Sequence, residues 1–267
     1  MEYRYITVTS DNPIEYLTLN RPDVRNAFNE GMIAELTSWA AGARVRCDLR
    51  AVVLGGAGPT FCAGADITWM SKTVEHTEAE NLRDAAAMAQ MFATLDDLPF
   101  ALIGRIHGAA LGGGVGLAAV CDIVIAEEKA VFGFTEVKLG ILPAVISPFV
   151  IPKIGQSAAR ELFLTGRRFS AARAYDIGLV HAVVAADSLN QTVGSYLNEI
   201  LTAGPDAVAA AKALISQVSG CSSEEATPIV ARALATRRVS SEGQEGLRAF
   251  LDKRAPGWSR SITRRVE

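Results

Sequence analysis

The chain has 267 residues, 49% apolar and 21% charged, with a formal net charge of −3. That length supports one sizeable core, and a mildly acidic balance with no basic run excludes a nucleic-acid surface. Cys47, Cys62, Cys121 and Cys221 form no CxxC or Cys/His cluster, which argues against a zinc site or disulfide framework and fits a reducing, cytoplasmic compartment.

Met1-Glu-Tyr-Arg-Tyr-Ile has no charged-then-apolar leader, so no signal peptide is expected. Apolar–polar alternation over 3–9 and 14–19, around Asp11-Asn12-Pro13, predicts a hairpin. Asn29 is placed to cap a helix carrying Met32, Ile33, Leu36, Trp39 and Ala40 on one face. Arg50–Leu54 reads as a short buried strand ended by Gly55-Gly56. Ser71–Glu80 reads as a polar, mobile stretch. Leu82–Leu95 then has helical spacing, with Met88, Met91, Phe92 and Leu95 on one side and Pro99 beyond.

Ala101–Ile106 is a predicted strand, followed by a glycine-rich turn and a small-residue helix near 113–120. Asp122–Ala126 and Val131–Phe134 are further strands. Ile106–Ala126 mimics a membrane span, but five glycines, His107 and Asp122 interrupt it, and strand, turn and helix in series explain it. Strand–helix alternation over the first ~185 residues implies crossovers and a parallel sheet. From Asp187 onward the pattern is helical, with Pro205 opening a helix in its first turn. The expected division is a core over 1–190 and a helical region over 191–267 that packs on the core or on a neighbouring subunit.

Ten of the 23 glycines fall in two windows, 55–64 and 104–116, each after a predicted strand. Glycine there lets a ligand approach the main chain. Two such loops could aim two backbone N–H donors at one developing anion, which is an oxyanion hole. Gly114-Val-Gly-Leu-Ala-Ala119 also matches a relaxed dinucleotide fingerprint, but the strand at Asp122 follows too soon for that unit. No phosphate-loop or nucleophile-elbow motif occurs. On glycine content alone, two tight turns without a ligand remain an equal reading.

Phe61-Cys-Ala-Gly-Ala-Asp-Ile67, Ala110-Leu-Gly-Gly-Gly114, Cys121-Asp-Ile123 and Thr135-Glu-Val-Lys-Leu-Gly-Ile-Leu-Pro143 resemble the enoyl-CoA hydratase/isomerase (crotonase) family. Arg25-Asn-Ala-Phe28, Leu164-Thr-Gly166 and Gly178-Leu-Val180 extend the match in collinear order. The resemblance implies an α/β spiral of ββα repeats with a C-terminal helical trimerisation region. It also implies an acyl-CoA thioester substrate, with coenzyme A arriving as part of it and no separate cofactor or metal, and a homotrimer or dimer of trimers.

Carried over by position, the oxyanion donors are the N–H groups of Ala65 and Gly113, and the acid/base is Glu136. Arg25, Ala27, Ala63, Asp66, Ile67 and Gly112 fall where the family contacts coenzyme A. Phe250 and Lys253 match a pair that completes a neighbour's coenzyme A site. Typical hydratases carry a second glutamate where this chain has Gly116. The segment Leu142-Pro-Ala-Val-Ile-Ser-Pro-Phe-Val150 and the C-terminal Ser241–Arg254 resemble bacterial methylglutaconyl-CoA hydratases of leucine breakdown. In that reading Val145, Ile146, Phe149 and Gly116 shape the acyl pocket. A hydratase is the first expectation. An isomerase using the single glutamate and a thioester-binding protein without turnover are the alternatives.

Overall fold

The computed structural model describes residues 3–261. Ile6–Asp11 (β1) and Ile14–Leu19 (β2) form the predicted antiparallel hairpin. Glu30–Ala43 (α1) starts where Asn29 accepts the Met32 N–H at 2.8 Å, a cap that stabilises a helix by about 1 kcal/mol. It buries Met32, Ile33, Leu36, Trp39 and Ala40, the face that the spacing predicts. Ala51–Gly56 (β3) runs two residues further than the sequence suggests. Its two glycines pair with Thr18 and Leu19, so strand pairing overrides their weak intrinsic preference.

The stretch expected to be mobile is instead mostly helical. Ile67–Thr73 (α2) is capped by Asp66, and Glu78–Asp96 (α3) opens with a capping box between Thr77 and Glu80. Then come Ala101–Ile106 (β4), Ala109–Leu111 (β5), Gly113–Val120 (α4), Ile123–Glu127 (β6) and Val131–Gly133 (β7). Ser147–Thr165 (α5) bends at Gly155, followed by Arg168–Ser170 (β8), Ala171–Asp176 (α6) and Ala182–Val184 (β9). The three-residue strands β5, β8 and β9 are too short to show a period in sequence.

β1-β2-β3-β4-β6-β9 form one sheet, parallel from β2 onward, and β5-β7-β8 form a second. Each turn of the spiral gives a strand to both sheets and then a helix: β4, β5, α4, then β6, β7, α5. Cys62 extends the small sheet through a parallel bridge to Ala110. The main core lies between the sheets and helices α1, α3, α4 and α5, with Leu17, Phe28, Phe92, Leu117 and Phe132 fully buried.

Leu189–Thr202 (α7) covers the other face of the large sheet. Leu189, Val193, Leu197 and Leu201 pack on Ile14, Val53, Ile103 and Ile125. Pro205–Val218 (α8), Ser223–Val239 (α9) and Ser241–Leu251 (α10) pack mostly on one another. Neither α8 nor α9 buries a residue fully, and Ile215, Leu234 and Val239 stand exposed.

Candidate active site

The two glycine windows meet. Gly64 has φ +94, and a Cβ there would lie 2.9 Å from the Leu111 carbonyl oxygen and 3.9 Å from the Gly112 Cα. Only glycine lets the first loop lie this close against the second. Gly112, with φ +51 and ψ −120, turns the chain from β5 into α4.

Two N–H groups are left free by this geometry. Phe28 bridges Ala65 in parallel, donating to Gly64 O at 2.7 Å and accepting from Asp66 N at 2.8 Å. A parallel bridge uses both polar groups of one residue and turns those of its opposite away, so the Ala65 N–H points off this ladder. Gly113 is the first residue of α4, so its N–H has no intrahelical acceptor and carries the positive end of the helix dipole.

Both residues line a cavity of about 360 Å³. Of the residues singled out in sequence, Ala63, Ala65, Gly112, Gly113 and Glu136 line it, with Val145 and Ile146. Glu136 begins a short 3-10 turn, Glu136–Leu139, and its Oε1 lies 3.0 Å from where a Cβ on Gly112 would stand. Its Oε2 is buried without a hydrogen-bond partner. Burial raises the Glu136 carboxyl above its ordinary value, opposed by its own backbone N–H. A partly desolvated carboxylate with one unpartnered oxygen beside a helix N-terminus is suited to moving a proton.

Gly116 and Phe149 lie behind this wall. A Cβ on Gly116 would meet Ile146 Cγ2 at 2.3 Å and Phe92 Cζ at 2.9 Å, and the Phe149 ring stands 6.0 Å from that of Phe92. Ala27 is buried, with its carbonyl accepting from Arg21. Asp66 is buried and engaged by Arg21 and by the α2 N–H groups. Arg25, at φ +54, and Ile67 are exposed outside the cavity lining. Phe250 and Lys253 stand exposed at the end of α10, away from that lining.

A model of the enoyl-CoA hydratase/isomerase family matches residues 9–261. The chain belongs to that family. It is similar to a probable enoyl-CoA hydratase of Mycobacterium bovis, 35% identical over 260 residues that cover 96% of this chain and 98% of the relative. An (E)-benzylidenesuccinyl-CoA hydratase of Thauera aromatica is 32% identical, covering 95% and 98%. The crystal structure of an enoyl-CoA hydratase from Shewanella pealeana superposes with a TM-score of 0.93 at 36% identity, covering 96% and 97%.

In this member of the enoyl-CoA hydratase/isomerase family, α2 and α3 supply cavity residues that sequence reading passes over, Trp69, Met70, Thr73, Asn81 and Asp84, together with Met88, read in sequence only as part of a helix face. Asp84 is a second carboxylate in the lining. Its buried Oδ2 faces His76 Nδ1 at 3.4 Å, outside hydrogen-bond geometry. The only available signal was the capping box Thr77-Glu-Ala-Glu80, which marks where α3 begins. His107, beside the second window, donates Nε2–H to Gly58 O at 2.9 Å and so ties two turns together. Cys62 is fully buried, and burial pushes its thiol up to about 12, which leaves it inert as a nucleophile.

Proposed function

We propose that this protein hydrates a 2-enoyl-CoA. The thioester oxygen sits between the N–H groups of Ala65 and Gly113, which stabilise it as it becomes an enolate. Glu136 takes a proton from water, the water oxygen bonds to Cβ, and the same carboxyl returns the proton to Cα on the same face. The observation that carries this reading is the Glu136 carboxylate against Gly112, its Oε2 buried without a hydrogen-bond partner, in the cavity that Ala65 and Gly113 also line.

Met88, Val145 and Ile146 give the cavity apolar, branched walls, and Leu139, Ile141 and Leu142 expose apolar surface along it. These walls suit the branched hydrocarbon of an acyl group such as methylcrotonyl; they suit the branch of methylglutaconyl but not its distal carboxylate. Among the described residues the lining holds no Lys or Arg for a distal carboxylate, and Asp84 and Glu136 share it. That favours an uncharged branched acyl chain over a dicarboxyl one.

The exposed apolar residues of α9 and α10, Val230, Leu234, Leu247 and Phe250 among them, support assembly as a homotrimer or a dimer of trimers. In such an assembly Phe250 and Lys253 would reach a neighbour's coenzyme A. Arg25, Ala27, Ala63, Asp66 and Ile67 are read as the near-side coenzyme A contacts. The reaction needs no metal or further cofactor. Four free thiols fit a cytoplasmic setting.

The test is mass spectrometry of crotonyl-, methylcrotonyl- and methylglutaconyl-CoA incubated with the pure protein in heavy-oxygen water. Gain of one heavy oxygen supports hydration. A shifted double bond without oxygen gain supports the isomerase reading, in which Glu136 moves one proton along the acyl chain. No turnover of any thioester would sink both and leave a binding protein.

A further inference from the structure

Arg21 spans both chains that flank Ala65. Its Nη1 donates to Ala27 O at 2.5 Å, one residue before Phe28, and its Nη2 pairs with Asp66 Oδ2 at 2.7 Å, one residue after Ala65. Phe28 and Ala65 are the two residues of the parallel bridge. One planar guanidinium therefore closes across the bridge that aims the Ala65 N–H.

The clamp has partners on every side. The Arg21 side chain is 16% exposed and that of Asp66 8%. Arg21 N donates to Asn26 Oδ1 at 2.8 Å, and its guanidinium lies 5.4 Å from the Tyr5 ring centroid. The other oxygen of Asp66 accepts from Thr68 N at 2.7 Å, which anchors α2, the helix whose Trp69 and Met70 line the cavity. Burial raises the Asp66 carboxyl, but the Arg21 guanidinium and the Thr68 N–H outweigh it and hold the carboxyl below its ordinary value. The Arg fork fits two acceptors in fixed directions, which a Lys ammonium does not.

We infer that Arg21 is a positioning residue: through Ala27 and Asp66 it fixes the Ala65 N–H where the thioester oxygen develops charge. The inference rests on the oxyanion reading above. It also gives Asp66 a second role, as the relay between Arg21 and the donor loop.

The experiment compares Arg21→Met, Arg21→Lys and Asp66→Asn with wild type. Three readouts are taken: kcat and KM for enoyl-CoA hydration, the absorbance red-shift of a bound dimethylaminocinnamoyl-CoA, and amide exchange of the peptide spanning 60–70. Displacing the donor by about 1 Å should cut kcat by about 10²-fold. The expected result for Arg21→Met is that loss with KM within about threefold, a diminished red-shift and faster exchange in 60–70 alone. Arg21→Lys should recover only part of kcat, and Asp66→Asn combined with Arg21→Met should add little.

Unchanged kcat and exchange in folded Arg21→Met would overturn the inference. So would faster exchange throughout the chain with an intact red-shift, which marks a merely structural ion pair. If Arg21→Met does not fold, Asp66→Asn, which keeps the side-chain shape, decides by the same readouts. If wild type turns over no thioester, the proposed function fails, while exchange in 60–70 and the red-shift still decide the clamp.

Discussion

Ile146 occupies the space that a side chain at Gly116 would need: a Cβ there would lie 2.3 Å from Ile146 Cγ2. Phe92 closes the same space from α3 at 2.9 Å. The position where the family resemblance expects a second glutamate is therefore filled with hydrocarbon. Gly116→Glu should not raise hydration. Overpacking should cost about 1–3 kcal/mol, which lowers Tm by several degrees. Adding Ile146→Ala should restore part of the Tm. Calorimetry of the single and double variants checks this, and a stable, faster Gly116→Glu enzyme would refute it.

Removing the Glu136 base should lower kcat by about 10²–10⁴-fold in Glu136→Gln. Because burial raises this carboxyl above 4.5, the rising limb of kcat/KM with pH should have its midpoint above 4.5 and vanish in the variant. The shift also bears on stability. The folded state holds this proton more tightly than the unfolded chain, so its contribution is complete below the unfolded value and is lost as pH rises through the folded one. Glu136→Gln has no such loss. Its Tm should exceed wild type at pH 8, with the gap closing toward pH 4. Thermal melts across that range decide it.

Gly112→Ala should strike activity harder than stability. Its φ of +51 disfavours any Cβ, and that Cβ would touch Glu136 Oε1 at 3.0 Å. A backbone shift here moves both the Gly113 donor and the base. A loss of kcat on the order of 10²-fold is expected, read by steady-state kinetics beside circular dichroism. A fully active variant would show that the Glu136–Gly112 contact does not matter.

Asn26 is fully buried at φ +56, and its amide donates to Ala57 O and Thr60 O, both at 2.8 Å, while its Oδ1 accepts from Arg21 N. Asn26→Ala strands all three partners. Orphaned groups cost about 1–3 kcal/mol each when they stay buried, so a Tm loss on the order of 10 °C is expected. Differential scanning calorimetry provides the number, and a loss under two degrees would contradict this account.

Much of the scaffold was legible because its signals are local. The Asn29 cap, the 3.6-residue spacing in α1 and α3, and the alternation in β1 and β2 each fall within a few neighbouring residues. The small sheet was legible only at β7, predicted at Val131–Phe134; β5 and β8 are three residues each and show themselves only as partners of that strand. Ser71–Glu80 was misread as mobile because it holds only the end of α2 and the start of α3, and its polar residues show no apolar face.

The same division runs through the site. Sequence alone picked out both glycine windows, Glu136 and the missing carboxylate at position 116, because each is a statement about which residue stands where. Tertiary structure decided the rest. Gly64 against Leu111, Ile146 over Gly116 and Arg21 between Ala27 and Asp66 join residues up to 47 positions apart. Close packing and hydrogen-bond geometry are properties of distance in space, and no local pattern along the chain encodes them.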